Sequence, residues 1–230
     1  MDKETEKVNA AKASLENIKD GMVIGIGSGS TVAKLIKLLG NKAKEEELEI
    51  LTVPTSFQVR QLLVEAKIPI TTLDEHPFLD IAIDGADEVD RNLNLIKGGG
   101  AALTQEKIID SCTKNLIIIV DSGKLVNNLG EKFAVPLEII PQALPLVNDR
   151  LKIFSDNFEL RMAKKKLGPI ITDNGNFIID MRIPDLSNRN LKELEKELNV
   201  IPGVIENGLF IDMTKIVYVG TQDGAKKITI

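Results

Sequence analysis

Between Asn115 and Val120 the chain reads NLIIIV, an almost pure aliphatic run followed by Asp121. Successive strand residues point to opposite faces, so a strand apolar at every position must be covered on both. Sheets covered on both faces are typically parallel, with helices above and below. Shorter apolar runs at Met22–Ile26, Leu48–Val53, Ile68–Thr72 and Leu79–Ile83 read as further strands. Helical spacing separates them. Residues 2–19 place Val8, Ala11, Leu15 and Ile18 three or four apart, and Asp20-Gly21 ends the pattern. Val32–Leu39, a segment from an N-capping Ser56 to about Ala66, and Ala101–Cys112 follow the same rule. Strands alternating with helices predict an α/β fold with a Rossmann-like, mainly parallel sheet. Sites in such sheets lie beyond the C-terminal strand ends. The Ser28–Thr31 turn, the Asp84 turn and Asp121 all follow predicted strands, so all three can share one rim.

The pattern changes near Lys132, with Pro136, Pro141 and Pro145 close together. Leu146–Leu167 reads as one or two helices ending in Lys164-Lys165-Lys166, a solvated basic face. Asp173-Asn174-Gly175 is a hairpin turn between strands at Ile170–Thr172 and Asn176–Ile183, and Leu191–Leu198 is a helix. Leu209–Asp212 and Ile216–Gly220 are late strands expected to return to the first sheet. The expected division is an α/β catalytic domain of residues 1–131 and 206–230, and a smaller α+β domain of 132–205, a lid or an oligomerisation element.

Composition narrows the chemistry. A net charge of -5 and 3% aromatic residues argue against nucleic-acid binding and base stacking. One cysteine, Cys112, rules out an internal disulfide and thiolate zinc cages, and one histidine, His76, excludes a multi-histidine metal site. No apolar run reaches transmembrane length and no secretory signal is visible, so a cytoplasmic protein with no membrane partner is expected. Cys112 reads as a helix-core thiol and His76 as a loop residue.

Most chemistry-bearing residues fall in Asp84–Glu106, DGADEVDRNLNLIKGGGAALTQE. Asp84 ends a strand and Asp87 follows across a Gly85-Ala86 turn, which is equally the pattern of an Asx-capped turn. Asp84, Asp87, Glu88 and Asp90 together leave a magnesium site open, although the spacing does not fit a calcium loop. Lys97-Gly98-Gly99-Gly100 supplies a cation and a backbone that a ligand can approach closely. Such a set suits a hydroxyl-rich ligand that turns anionic during reaction. Glu106, near the start of a helix, is either an ordinary first-turn acid or a general base. Upstream, Gly25-Ile26-Gly27-Ser28-Gly29-Ser30-Thr31 joins strand to helix as an anion cradle would. It lacks the third glycine position of a dinucleotide fingerprint, and no acid ends the second strand. A single phosphate fits it better, with a plain structural turn as the other reading. Lys124, in Asp121-Ser122-Gly123-Lys124, is a second phosphate-facing lysine or part of a surface turn.

Taken in order, five segments resemble the ribose-5-phosphate isomerases of type A. They are Gly27–Thr31, Asp84–Asp90, Lys97–Leu103 with Glu106-Lys107, Thr172–Asn176, and Pro202–Val204 with Glu206–Phe210. The resemblance implies a two-domain, metal- and cofactor-independent enzyme. It would interconvert D-ribose 5-phosphate and D-ribulose 5-phosphate in the non-oxidative pentose phosphate pathway, as a homodimer or homotetramer. It assigns Glu106 as the base that moves a proton between C2 and C1 through a cis-enediolate. Lys97 and the amides of Gly98, Gly99 and Gly100 would face the developing oxyanion. Asp84, Gly85, Ala86 and Asp87 would hold sugar hydroxyls, the two acids assisting ring opening. Ser28, Gly29, Ser30, Thr31 and Lys124 would hold the phosphate. Two positions depart from the family pattern. Ser28 stands where threonine is common, and Gly123 replaces the serine of a D-x-S-K motif, removing a supporting hydroxyl. Two other classes remain open: a sugar-phosphate-sensing module, which should carry a DNA-binding segment, and a magnesium-dependent phosphoryl enzyme, whose turnover chelation would stop.

Overall fold

The computed structural model describes residues 2–229. The chain divides into two compact units, one of residues 1–86, 105–124 and 213–230, the other of 87–104 and 125–212.

The first unit holds α1 (Lys3–Ser14), β1 (Val23–Ile26), α2 (Ser30–Glu45), β2 (Leu51–Pro54), α3 (Phe57–Glu65) and β3 (Ile81–Asp84). The second unit contributes β4 (Glu88–Val89) and β5 (Leu95–Ile96). The following helix, α4 (Leu103–Ser111), starts in the second unit and runs on in the first, into β6 (Leu116–Asp121). The second unit continues with β7 (Val135–Ile139), α5 (Leu144–Leu151), β8 (Phe158–Leu160), β9 (Phe177–Met181), α6 (Leu191–Asn199), β10 (Val204–Asn207) and β11 (Leu209–Phe210). The chain closes with β12 (Thr214–Thr221) and β13 (Gly224–Thr229) in the first unit.

The first unit is built on a six-stranded sheet in the order β13-β12-β6-β3-β1-β2. All pairings are parallel except β12 with β13. Every residue of β6 is buried, as its aliphatic run requires. Ile24, Ile26, Val32, Leu35, Ile83, Ile117 and Ile119 join helices and sheet in one core. Ser56 caps α3 as expected, its hydroxyl accepting from Val59 N–H at 3.3 Å. The expected strand at Ile68–Thr72 is reduced to a single bridge, Thr52 to Ile70. Of the two late strands, only the second returns to this sheet, as β12 beside β6.

The second unit carries two antiparallel sheets, β10-β7-β9-β8 and β11-β5-β4. The expected strand at Leu209–Asp212 is β11, and it pairs with β5 rather than with the parallel sheet. The unit extends beyond 132–205 because β4 and β5 belong to it. Val89 bridges Leu125, and the buried Glu88 carboxylate accepts from Gly130, Lys132 and Phe133 N–H at 2.6, 2.5 and 2.8 Å. The expected helical stretch at Leu146–Leu167 is helical only to Leu151 and then becomes β8, which pairs with β9. Residues 170–172 form no strand. Asp173-Asn174-Gly175 still makes a tight turn, closed by Gly175 N–H to Thr172 O at 2.9 Å.

Helix α1 packs on β12. A Cβ at Gly220 would overlap the main-chain oxygen of Glu6, so this strand position needs glycine for space. Gly220→Ala must push α1 off the sheet. We expect a loss of about 1–3 kcal/mol in a urea titration at unchanged m; an unshifted midpoint would contradict this packing.

Candidate active site

The strands of the first unit aim three turns at one edge of its sheet, and β1 and β3 are neighbours there. Gly27 N–H continues the ladder to Ile83 O at 2.9 Å, after which the chain turns into α2. Asp84, fully buried, sits opposite that turn. Its Oδ1 accepts from Ser28 N–H at 2.9 Å and from its neighbour Gly85 N–H at 2.6 Å. A side chain at Gly27 would overlap the Asp84 carboxyl. Gly29, the N-cap of α2, has φ +108° and offers no side-chain cap. The N-terminal amides of a 16-residue helix, at Ser30 and Thr31, therefore lie behind an uncapped, positively polarised end.

Ser28 Oγ also meets Thr55 Oγ1 at 2.8 Å and Ser56 Oγ at 3.0 Å. These two hydroxyls follow β2 and complete a trio beside the α2 N-terminus. The sequence shows them only as a turn and a cap, because the pairing of β1 with β2 that brings them to Ser28 is a tertiary fact.

Glu106 is placed by α4. At the helix end Leu79 N–H donates to Cys112 O at 2.9 Å, fixing that end beside the start of β3. Ile109 Cγ2 lies 2.7 Å from where a Gly25 Cβ would be. Three residues toward the N-terminus, a rise of about 4.5 Å, comes Glu106 on the same face. Two residues beyond Gly25, about 6.6 Å along β1, comes Gly27. The buried Glu106 carboxyl thus stands level with the end of β1, at the rim that carries Asp84 and Ser28. Cys112, half-buried and just past the end of α4, packs against the cluster of Val53, Leu79 and Ile109, and burial pushes its thiol pKa up.

The Asp121–Lys124 turn follows β6 and leaves Lys124 half-buried. Gly123 N–H donates to Asp121 Oδ1 at 3.1 Å, and a Cβ at Gly123 would lie 2.9 Å from that oxygen. The turn is pinned from α1, because Glu6 Oε2 accepts from Ser122 N–H at 3.0 Å and from Ser122 Oγ at 2.7 Å. The Ser122 hydroxyl is therefore committed to Glu6 and does not substitute for the hydroxyl missing at Gly123. Glu6 is 116 residues from Ser122, too far for its part to be visible in sequence.

The second unit holds Asp87, Lys97 and the three glycines, joined by the chain to Asp84 and Glu106 at Ala86–Asp87 and Thr104–Gln105. Lys97 is 2% exposed, and its Nζ lies 5.2 Å from the Phe210 ring centroid, within cation–π range. Its N–H donates to Gly208 O at 3.0 Å. Gly98 has φ +102°, and Gly99 N–H donates to Asp87 Oδ2 at 2.7 Å. That amide is thus directed at a carboxylate of the protein. Next to Gly100 the space is open, with nothing within 4 Å of a Cβ position.

The acids of the motif do not pool their charge. Glu88 is taken by three loop amides, and Asp90 accepts from Asn92 and Asn94 N–H at 2.8 Å each. Among the described residues no three His, Cys, Asp or Glu side chains form a metal-holding group. Thr172, Asn174 and Asn176 converge with Thr104 on one buried carboxylate, Glu138, at 2.6 to 3.0 Å. Thr104 lies two residues before Glu106. Glu138 thus anchors the first turn of the helix that carries the candidate base.

Fold and rim together define an α/β protein whose acids and anion-ready helix end gather at the C-terminal edge of a mainly parallel sheet. Comparison with known proteins is specific. The family model for ribose 5-phosphate isomerase A (phosphoriboisomerase A) matches residues 51–224. The ribose-5-phosphate isomerase A of Pyrococcus horikoshii is 53% identical over 229 residues, 99% of each chain. A D-ribose-5-phosphate isomerase solved in complex with phospho-erythronic acid superposes with a TM-score of 0.95 at 53% identity, covering 100% of both chains. The ribose 5-phosphate isomerase A structure from Methanocaldococcus jannaschii gives 0.92 at 48% identity over 99% of each chain. This chain belongs to the ribose 5-phosphate isomerase A family.

Glu6 generates a test in acid. Its carboxyl is held below its ordinary 4.5, first by the Ser122 hydroxyl, then by the Gln222 side chain and Ser122 N–H. A lowered carboxylate pKa contributes stability that is full above the unfolded value and fades as pH falls through the folded one. Glu6→Gln should therefore be less stable than wild type at pH 7, the two converging as pH drops below 4.5. Thermal melts from pH 7 to pH 3 read this directly; parallel curves would contradict it.

Proposed function

We propose that this chain interconverts D-ribose 5-phosphate and D-ribulose 5-phosphate through a cis-enediolate. The observation that carries the reading is end-to-end likeness, in sequence and in fold, to an isomerase that binds phospho-erythronic acid. That ligand carries a carboxylate at one end of a hydroxylated chain and a phosphate at the other. A carboxylate has the planar, paired-oxygen form of an enediolate.

The chemistry follows from the residues. The phosphate sits on the Ser30 and Thr31 amides, with the Ser28 hydroxyl and Lys124 beside it, so a helix dipole and a cation oppose its charge. This remote binding fixes the reacting carbons. Asp84 and Asp87 grip hydroxyls and help open the ring. Glu106 removes the C2 proton and returns it to C1, while the O2 hydroxyl proton passes to O1, so that the carbonyl moves from C1 to C2. The oxyanion that grows on the carbonyl oxygen faces Lys97 and the glycine turn. Abstraction alpha to a carbonyl needs only such a base and such donors. The same reading makes the enzyme a cytoplasmic homodimer or homotetramer of the non-oxidative pentose phosphate pathway, needing no metal or cofactor.

Glu106→Gln keeps shape and removes the base. Turnover should fall by about 10²–10⁴-fold while ligand binding, read by calorimetry, persists. Wild-type turnover should be unchanged by EDTA. Full activity in Glu106→Gln would remove Glu106 from this role, and loss on chelation would favour metal chemistry.

A further inference from the structure

The triple glycine is the least constrained backbone in the motif, since three residues without Cβ have the most conformational freedom to lose. Something must hold it. Arg161, directly after β8, donates from Nη1 to Gly98 O at 2.9 Å and to Gly99 O at 3.3 Å. Its guanidinium is itself fixed by Asp180 on β9, with Nε to Oδ2 at 2.7 Å and Nη2 to Oδ1 completing a two-pronged pair. Strand register makes this possible. Arg161 N–H bonds Ile178 O, and Asp180 stands two residues along, on the same face of the sheet.

The consequence lies in the peptide planes. No described peptide bond is cis, so each N–H points opposite to the preceding carbonyl. Holding Gly98 O turns Gly99 N–H away from Arg161, toward Asp87 Oδ2 at 2.7 Å. Holding Gly99 O turns Gly100 N–H away likewise, and no heavy atom lies within 4 Å of a Cβ position at Gly100. A cation, a peptide and a carboxylate then form one polarised chain, Arg161–Gly98/Gly99–Asp87.

We infer that Arg161, locked by Asp180, is a positioning residue for the isomerisation: it sets the direction of the Gly99 and Gly100 amides and the seat of Asp87. This rests on the isomerase reading above. The guanidinium touches no reacting atom in this scheme; it keeps the Gly100 amide and, through Gly99 N–H, the Asp87 carboxylate in place before charge develops, when preorganised groups act most strongly. Asp87, Gly99, Arg161 and Asp180 also line a cavity of about 330 Å³, so a small cation can reach the place that a truncated Arg161 would vacate.

The test is chemical rescue. Arg161→Ala should lose about 10²-fold in kcat, the order that misplaced catalytic groups cost. KM should move by less than about threefold, because the phosphate carries most of the ground-state binding. Millimolar guanidinium should restore kcat about tenfold or more with saturation, as a planar cation that pairs with Asp180 and still reaches both carbonyls. Potassium chloride should not, and Arg161→Lys should stay impaired. Wild-type kcat in Arg161→Ala, or a loss that guanidinium leaves untouched, overturns the inference. If Arg161→Ala does not fold, kcat of Arg161→Lys and Asp180→Asn decides, and wild-type values in both overturn it. Glu106→Gln is assayed alongside: its retaining turnover would sink the base assignment alone, since guanidinium rescue is read with Glu106 intact.

Discussion

The structure depends first on one buried carboxylate. Asp84 Oδ1 ties the turn after β1 to the end of β3 by taking both Ser28 N–H and Gly85 N–H. A fully buried charge is costly unless hydrogen-bonded, and charge-assisted bonds to amides are among the strong ones. That requirement explains residues which otherwise look arbitrary. Gly27 cannot carry a side chain, because the carboxyl fills the space. Ser28 is turned so that its hydroxyl meets Thr55 and Ser56. The α2 amides at Ser30 and Thr31 stay uncapped by any side chain at Gly29.

The second unit repeats the device. Glu88 collects three amides from residues 130–133 and so holds β4 to the chain that follows Leu125. Glu138 collects four side chains, one of them from the start of α4. Asp180 fixes the guanidinium that holds the glycine turn. Glu88, Glu138 and Asp180 thus hold their loops without any part in the proposed chemistry. Loops with this much glycine would otherwise lose their aim to conformational entropy.

Legibility in the sequence followed sequence distance. The buried β6 run, the Ser56 cap and the Asp173–Gly175 turn are local patterns, and each formed. Leu146–Leu167 misleads because its apolar spacing suits a helix, while pairing of residues 158–160 with β9 decides the outcome. Leu209–Phe210 is a strand in both readings, but only tertiary pairing shows that β5 takes it. The candidate site residues were visible as motifs. Their supports were not: Glu6 lies 116 residues from Ser122, and Arg161 lies 63 from Gly98. Nothing in a single sequence links such pairs.

The central claim is that the phosphate rests on the α2 N-terminus with the reacting carbons beside Glu106. A crystal structure of this chain with phospho-erythronic acid tests it most directly. The account predicts phosphate oxygens within about 3.2 Å of the Ser30 and Thr31 amides. It also predicts a Glu106 carboxylate oxygen within about 3.2 Å of the ligand's C1 or C2 oxygens. A phosphate seated away from that helix end, or a Glu106 remote from those carbons, would contradict it.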